Sequence, residues 1–146
     1  MQDNNDDLFD LCLFLGPDPD DPACDPFTWF AKFKGPPGSP YAGGTFMLKL
    51  TVPQDYPLRP PVCEFKTPVF HPNISTSGDV CMDILRHDSG LWCLEMTLQA
   101  VVISVLSLLT DANPTDPLER DVGKLYMRDR TKFDTMAREW TNRYAK

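Results

Sequence analysis

The stretch FHPNISTSGDVCMDIL, residues 70–85, places a histidine, an asparagine and a cysteine within eleven residues. Pro72 and Gly78 interrupt it, and neither residue favours a continuous helix or strand. It lies within residues 67–96, where no long hydrophobic period is found. A loop of this length inside a compact chain is usually functional. Three interpretations follow: a core cysteine with polar neighbours, part of a metal site, or a nucleophile with supporting groups.

A zinc site is one of these alternatives, because several potential ligands lie in or near the stretch. Structural zinc sites favour pairs of ligands separated by two to four residues. The candidate ligands here are six to ten positions apart, so we expect no metal site. The ligands considered are Cys63, His71, Cys81, His87 and Cys93.

A cysteine hydrolase is the second chemical alternative. Cys81, Asn73 and either His71 or His87 supply the residue types of a Cys-His-Asn site. Such a site requires an imidazole at the sulfur, and the local signatures of cysteine hydrolases are missing from this sequence. The residues alone therefore leave this alternative open.

Three segments before this stretch have the composition of β-strands. Residues 27–34, 45–52 and 62–66 are rich in aromatic and β-branched side chains. In the second, Phe46, Leu48 and Leu50 alternate with other residues, which predicts one face on a core. The first two are joined by GPPGSPYAGG, which predicts an antiparallel pairing.

Four segments show helical patterns. Residues 6–15 have apolar side chains at helical spacing and predict a short amphipathic helix. From Thr97 the sequence TLQAVVISVLSLL is apolar almost all round, which predicts a buried helix. Asp116 as N-cap, Pro117 at the first position and Glu119 form a capping-box-like start and predict the next helix. Residues 130–144 carry one apolar face and predict the last.

Charge is distributed unevenly along the 146 residues, whose formal net charge is −7. Residues 1–26 contain eight Asp and no Lys or Arg, so this divergent acidic segment accounts for the excess. We expect it to repel nucleic acid and anionic membranes, so neither is an expected partner. The five cysteines form no C-x-x-C pair, which favours reduced thiols in the cytoplasm or nucleus.

The whole arrangement resembles the ubiquitin-conjugating enzymes. In that family an HPN motif precedes the active-site cysteine by the spacing found here between Asn73 and Cys81. The resemblance covers residues 27–146 and is closest to the branch that carries ubiquitin itself. It rests on further segments in the family's order: GPPGSPYAGGTF, YPLRPP, CMDIL, NPTDPL and DRTKFDTMAREWTNRYA.

The resemblance implies the α/β (α+β) ubiquitin-conjugating-enzyme fold. That fold has a four-stranded antiparallel meander with an N-terminal helix, a central helix and two C-terminal helices. We expect residues 1–146 to form one such catalytic domain.

The resemblance also implies an activity and its residues. Cys81 would accept ubiquitin as a thioester from an activating enzyme and pass it to substrate lysines. Asn73 matches the family residue that stabilises the oxyanion, and the alternative role for its side chain is to brace the loop. Asp116 matches the carboxylate that orients and deprotonates the lysine. His71 would brace the loop, and Asp83 would flank the extended tail of the modifier.

The expected partners are ubiquitin, the activating enzyme, substrate lysines and a ligase of the RING or HECT type. Leu58, Arg59, Leu94 and Glu95 match the ligase-binding positions of the family. ATP would be used by the activating enzyme, so we expect this chain to bind no cofactor itself.

The sequence departs from the family pattern at three places. The helix expected over residues 6–15 is acidic where the family is basic, so contact with the activating enzyme should be weaker. Leu58 and Glu95 stand where the family has Phe and Ala, and RHDSGLW is longer than its counterpart. Two alternatives therefore remain: a non-charging scaffold or modulator of conjugation with the same fold, and a carrier of another ubiquitin-like modifier.

Overall fold

The computed structural model describes residues 10–17, 26–85, 97–115 and 117–146, with Asp83 described by its backbone alone. The described part contains four strands and three α-helices. The strands are β1 (Cys12–Pro17), β2 (Thr28–Lys34), β3 (Thr45–Thr51) and β4 (Val62–Phe65), and the helices are α1 (Leu98–Thr110), α2 (Arg120–Arg128) and α3 (Arg130–Tyr144).

The four strands form one antiparallel sheet in the order β1-β2-β3-β4, so each strand pairs with its neighbour in sequence. The predicted alternation in β3 is confirmed, because Phe46, Leu48 and Leu50 are buried. Each such side chain removed from water contributes about 1.5–3 kcal/mol. The predicted strands after residue 26 are confirmed to within two residues at each end.

The first strand corrects a prediction, because Cys12–Pro17 pairs with β2 where we expected the end of a helix. The error has a physical cause. The register shifts between Cys12 and Phe14, as in a β-bulge, so that two residues of β1 advance one residue of β2. Cys12 and Leu15 consequently both pack against the core although they are three positions apart, a spacing that imitates a helix. The rest of the predicted helix, residues 6–9, lies outside the described residues.

Helix α1 is the predicted central helix. The hydroxyl of Thr97 accepts a hydrogen bond from the amide of Ala100 at 3.1 Å and caps its N-terminus. Its buried residues, which belong to the same core as β2, β3 and β4, are Val101, Val102, Val105, Leu106 and Leu109. Within the described ranges, no helix combines the length and apolarity that crossing a bilayer requires.

Helix α3 spans the predicted residues, but α2 begins later than predicted. Its first residue is Arg120 and its N-cap is Glu119, whereas the sequence favoured a start at Asp116 and Pro117. The amides of Leu118 and Glu119 instead donate to the carbonyl of Pro72, at 2.9 and 3.2 Å. The backbone before α2 is therefore held by the loop that contains Pro72, and Glu119 itself has an extended conformation.

Candidate active site

The HPN loop, residues 71–81, folds back on itself. Ile74 forms isolated antiparallel bridges with both His71 and Val80. The amide of Cys81 then donates to the carbonyl oxygen of Asn73 at 2.9 Å. The eight-residue spacing therefore places the cysteine directly beside the asparagine.

Gly78 makes the return of this loop possible. Its φ of +98° is a conformation that residues with a side chain rarely adopt. Its carbonyl accepts a hydrogen bond from the amide of Phe65 at 2.7 Å, which ties the loop to β4. Ser75 closes the turn by donating its amide to the carbonyl of Asp79 at 2.9 Å. The loop is thus anchored to the sheet as well as to itself.

His71 is a structural residue of this loop. It is 1% exposed, and its Nδ1 accepts the amide N–H of Asn73 at 3.0 Å. Nδ1 therefore carries no proton, and Nε2 donates to the carbonyl of Leu108 at 2.8 Å. Burial lowers the pKa of His71 to about 4, against the opposing effect of the Leu108 bond, and the charge of Arg130 lowers it further. The ring is neutral at physiological pH and braces the loop against the end of α1.

The neutral state of His71 predicts a loss of stability in acid. Because its pKa is lowered in the folded protein to about 4 from a usual value of 6.5, the unfolded chain binds the proton first. This contribution to stability is complete above pH 6.5 and falls as the pH decreases toward 4, by about 2 kcal/mol at pH 5. Denaturant unfolding measured between pH 7 and pH 5 should show this decrease.

The matched variant is His71→Asn, whose side-chain oxygen can replace Nδ1 as an acceptor but does not titrate. We expect it to be less stable than wild type at pH 7 and to lose less stability between pH 7 and pH 5. An equal pH dependence in the two proteins would show that His71 is not the titrating group.

Asn73 is braced by a second pair of hydrogen bonds. Its side chain is 1% exposed, and its amide nitrogen donates to the carbonyl oxygen of Asn113 at 2.8 Å. Its amide oxygen accepts the backbone N–H of Asn113, also at 2.8 Å. The side chain therefore joins the HPN loop to the segment that follows α1.

This following segment, residues 111–119, contacts the loop at two further points. The carbonyl of Pro72 accepts from the amides of Leu118 and Glu119, and a carboxylate oxygen of Glu119 accepts from the amide of Thr76 at 2.8 Å. The loop and the segment thus meet at the base of the loop and near its tip.

Two predicted site residues cannot be placed at the level of their side chains. Asp116 lies outside the described residues, although residues 113, 118 and 119 on either side of it contact the HPN loop. Asp83 begins a short 3-10 turn, Asp83–Leu85, directly after the cysteine. Their predicted roles remain predictions.

Cys81 is partly exposed, and it differs from the other described cysteines in its surroundings. Cys63 is 3% exposed, and burial raises the pKa of its thiol to about 12, so it stays protonated. Cys12 lies on β1, where partial burial also raises the pKa of its thiol. Of these three thiols, Cys81 is the one that lies on a loop of polar residues and backbone donors.

The geometry bears on the two chemical alternatives. Both ring nitrogens of His71 are engaged by backbone groups, so this imidazole is available neither as a base for Cys81 nor as a metal ligand. No cluster of three metal-binding side chains occurs in the part of the chain that the structure describes. His87 and Cys93 lie outside that part.

The candidate ligase-binding residues are described in part. Leu58 lies in a turn and is 63% exposed, which suits a residue that contacts a partner. Arg59 is held by the carboxylate of Asp55, with Nε at 2.9 and 2.7 Å from its two oxygens. Leu94 and Glu95 lie outside the described residues, so their role stays a prediction.

An open groove of about 360 Å³ lies between the 3-10 turn and α1. Its first lining residue, Met82, directly follows Cys81 in the chain. The lining residues are Met82, Ile84, Ala100, Ile103, Ser104 and Ser107.

Two residues that position the loop were not singled out for that role from the sequence. The hydroxyl of Tyr41 donates to the carbonyl of Phe70 at 2.6 Å, directly before the HPN motif. The other residue is Glu119, whose carboxylate accepts from the amide of Thr76. In both cases the acceptor or donor on the loop is a backbone group, which leaves no mark in the sequence.

Comparisons with known proteins identify the family of this chain. A model of the ubiquitin-conjugating enzyme family matches residues 16–141. A solved ubiquitin-conjugating enzyme E2 domain from Toxoplasma gondii is 38% identical, with a TM-score of 0.77 over 84% of this chain and 83% of that chain. The chain belongs to the ubiquitin-conjugating enzyme family. The four-stranded sheet and three described helices are the α+β fold of that family.

One departure noted in the sequence concerns contact with the activating enzyme. Ubiquitin-conjugating enzymes work in general with ubiquitin, an activating enzyme and ligases. The expected weak contact with the activating enzyme rested on an acidic helix over residues 6–15. Residues 12–15 belong to β1 and residues 6–9 lie outside the described residues, so the weaker contact expected for this ubiquitin-conjugating enzyme domain stays a prediction.

Proposed function

We propose that this chain carries ubiquitin as a thioester on Cys81 and transfers it to substrate lysines, usually together with a ligase. One observation carries the proposal: Asn73 holds the backbone of Cys81 while its own side chain is fixed by Asn113. The backbones of the cysteine and the asparagine are thereby kept adjacent, and these are the two residue types that the reaction requires.

The first step is exchange of one thioester for another. The thiolate of Cys81 attacks the carbonyl carbon of the thioester between ubiquitin and the activating enzyme, and the cysteine of that enzyme leaves as a thiolate. Such an exchange is nearly balanced in energy, so it needs some thiolate at Cys81 but no strong base. ATP is used earlier, when the activating enzyme forms its own thioester.

The second step is attack by a lysine amine on the same carbonyl carbon. A free lysine has a pKa of about 10.4, so its amine must lose a proton before it attacks. We assign the removal of this proton to Asp116. The side-chain amide of Asn73 stabilises the tetrahedral oxyanion. This amide is rigid because it is bonded to the backbone of Asn113. Collapse forms the amide bond, and Cys81 leaves as a thiolate.

The groove between the 3-10 turn and α1 offers a path for the extended tail of the modifier. Met82 and Ile84 line it on both sides of Asp83, the residue assigned to flank the extended tail. Leu58, exposed on its turn and next to the paired Arg59, is assigned to the ligase.

The test is a charging reaction with activating enzyme, ATP and ubiquitin, followed on non-reducing and reducing gels. We expect a reductant-sensitive adduct that lysine consumes faster than water does. Cys81→Ser should give a reductant-stable ester or no adduct, since the thioester cannot form. The matched control, Cys12→Ser, should charge as wild type does.

The other outcomes identify the alternatives. No adduct at any concentration of activating enzyme contradicts the proposal and leaves a scaffold or a carrier of another modifier. Release of ubiquitin from conjugates, without accumulation of an adduct, would instead indicate a hydrolase.

A further inference from the structure

The side chain of Glu119 is used in an unusual way for its position. It is the N-cap residue of α2, where a side chain ordinarily accepts a bond from its own helix. No such bond is present at Glu119. Its Oε1 instead accepts the amide N–H of Thr76, 43 positions earlier in the chain, at 2.8 Å.

The location of Thr76 gives this bond its importance. The other described bonds between segment 111–119 and the HPN loop involve Pro72 and Asn73, at the base of the loop. Thr76 lies in the turn at the far end. This turn is otherwise held by its own residues, for example the Ser75 hydroxyl that accepts from the amide of Asp79 at 3.0 Å, and by the bond between Gly78 and Phe65 of β4, but neither contact ties it to segment 111–119. From Thr76 the chain turns back and reaches Cys81 five residues later.

We infer that Glu119 is a positioning residue that fixes the tip of the HPN loop, and through it Cys81, relative to segment 111–119. The inference rests on the proposed function, because that segment contains Asp116, to which we assign the incoming lysine. Glu119 acts as a hydrogen-bond acceptor and not through its charge. Fixing both ends of the loop keeps the thioester and the amine in a reactive geometry.

Two variants of Glu119 separate these roles. Glu119→Ala removes the acceptor, whereas Glu119→Gln keeps an oxygen at the same place and removes the charge. We expect Glu119→Ala to lower the maximal rate of discharge to free lysine about tenfold, the factor that corresponds to one hydrogen bond of moderate strength. The concentration of lysine at half-maximal rate should not change, and Glu119→Gln should recover most of the rate.

The matched control is Asp121→Ala. Asp121 carries the same charge in the first turn of the same helix and is exposed. Its replacement should leave discharge as in wild type. Hydrogen exchange at the amide of Thr76, measured on the uncharged protein, should become faster in Glu119→Ala but not in Asp121→Ala.

Each remaining outcome overturns the inference. Unchanged exchange at Thr76 in Glu119→Ala shows that the bond does not hold the loop. A rise in the lysine concentration at half-maximal rate, in both Glu119→Ala and Glu119→Gln, shows that the carboxylate acts on the lysine through its charge. If wild type forms no adduct, the proposed function fails together with the role in discharge, and the exchange measurement then decides separately whether the bond exists.

Discussion

Replacing Gly78 with alanine should lower the free energy of unfolding by about 4 kcal/mol, because two costs add. The φ of +98° strains any residue that has a side chain. In addition, an alanine methyl group would overlap the carbonyl oxygen of Phe65. The loop cannot move away freely, because the Gly78 carbonyl is bonded to the amide of Phe65.

The matched variant for this prediction is Gly38→Ala. Gly38 has a similar φ of +80°, but a methyl group there would meet nothing within 4 Å. It should cost about 1–2 kcal/mol, the strain alone. Urea unfolding of the two variants measures the difference, and equal losses would contradict the close packing of the HPN loop on β4.

Replacing Asn73 with alanine should impair both the fold and the reaction. The backbone N–H and carbonyl of Asn113 would lose their partners, which costs about 2–4 kcal/mol for the two groups. Loss of the amide that stabilises the oxyanion should lower discharge to lysine about a hundredfold. Asn73→Asp should fail similarly, because a carboxylate has no N–H for the carbonyl of Asn113.

The control for this prediction is a change of the Asn113 side chain, because the two bonds to Asn73 use the backbone of Asn113. Asn113→Ala keeps both bonds to Asn73 and removes only its own side chain, which accepts from the hydroxyl of Thr115 at 2.6 Å. We expect its stability to stay within about 1 kcal/mol of wild type and its discharge rate to be nearly unchanged. Chemical unfolding and single-turnover discharge measure both quantities, and a stable, active Asn73→Ala would contradict the assigned role.

Segments with a strong period were predicted well from the sequence. The alternation of Phe46, Leu48 and Leu50 predicted the buried face of β3, and the apolar run from Thr97 predicted α1. These patterns are local, so they survive in the sequence. The errors occurred where a distant contact overrides the local pattern.

Two elements illustrate that limit. The β-bulge after Cys12 gave β1 a helix-like spacing, and no local signal distinguishes the two. Likewise, Pro117 is well suited to begin a helix, but the carbonyl of Pro72 holds the next two amides and delays α2 to Arg120.

The candidate site shows the same division. The HPN motif and its spacing to Cys81 were sufficient to identify the loop, because the tight turn needs Gly78 and the family resemblance supplied the roles. The partners of Asn73, His71 and Thr76 could not be predicted. Two of those partners are backbone groups about 40 positions away, and Glu119 was predicted to be part of a capping box and not a partner of the loop.

The most direct test of the account is to locate the acyl group on the charged protein. After reaction with activating enzyme, ATP and ubiquitin, the adduct is digested under acidic, non-reducing conditions and its peptides are analysed by mass spectrometry. The account predicts that the ubiquitin C-terminus is attached to Cys81 and is released by reductant. Attachment to another cysteine, or to none, would contradict it.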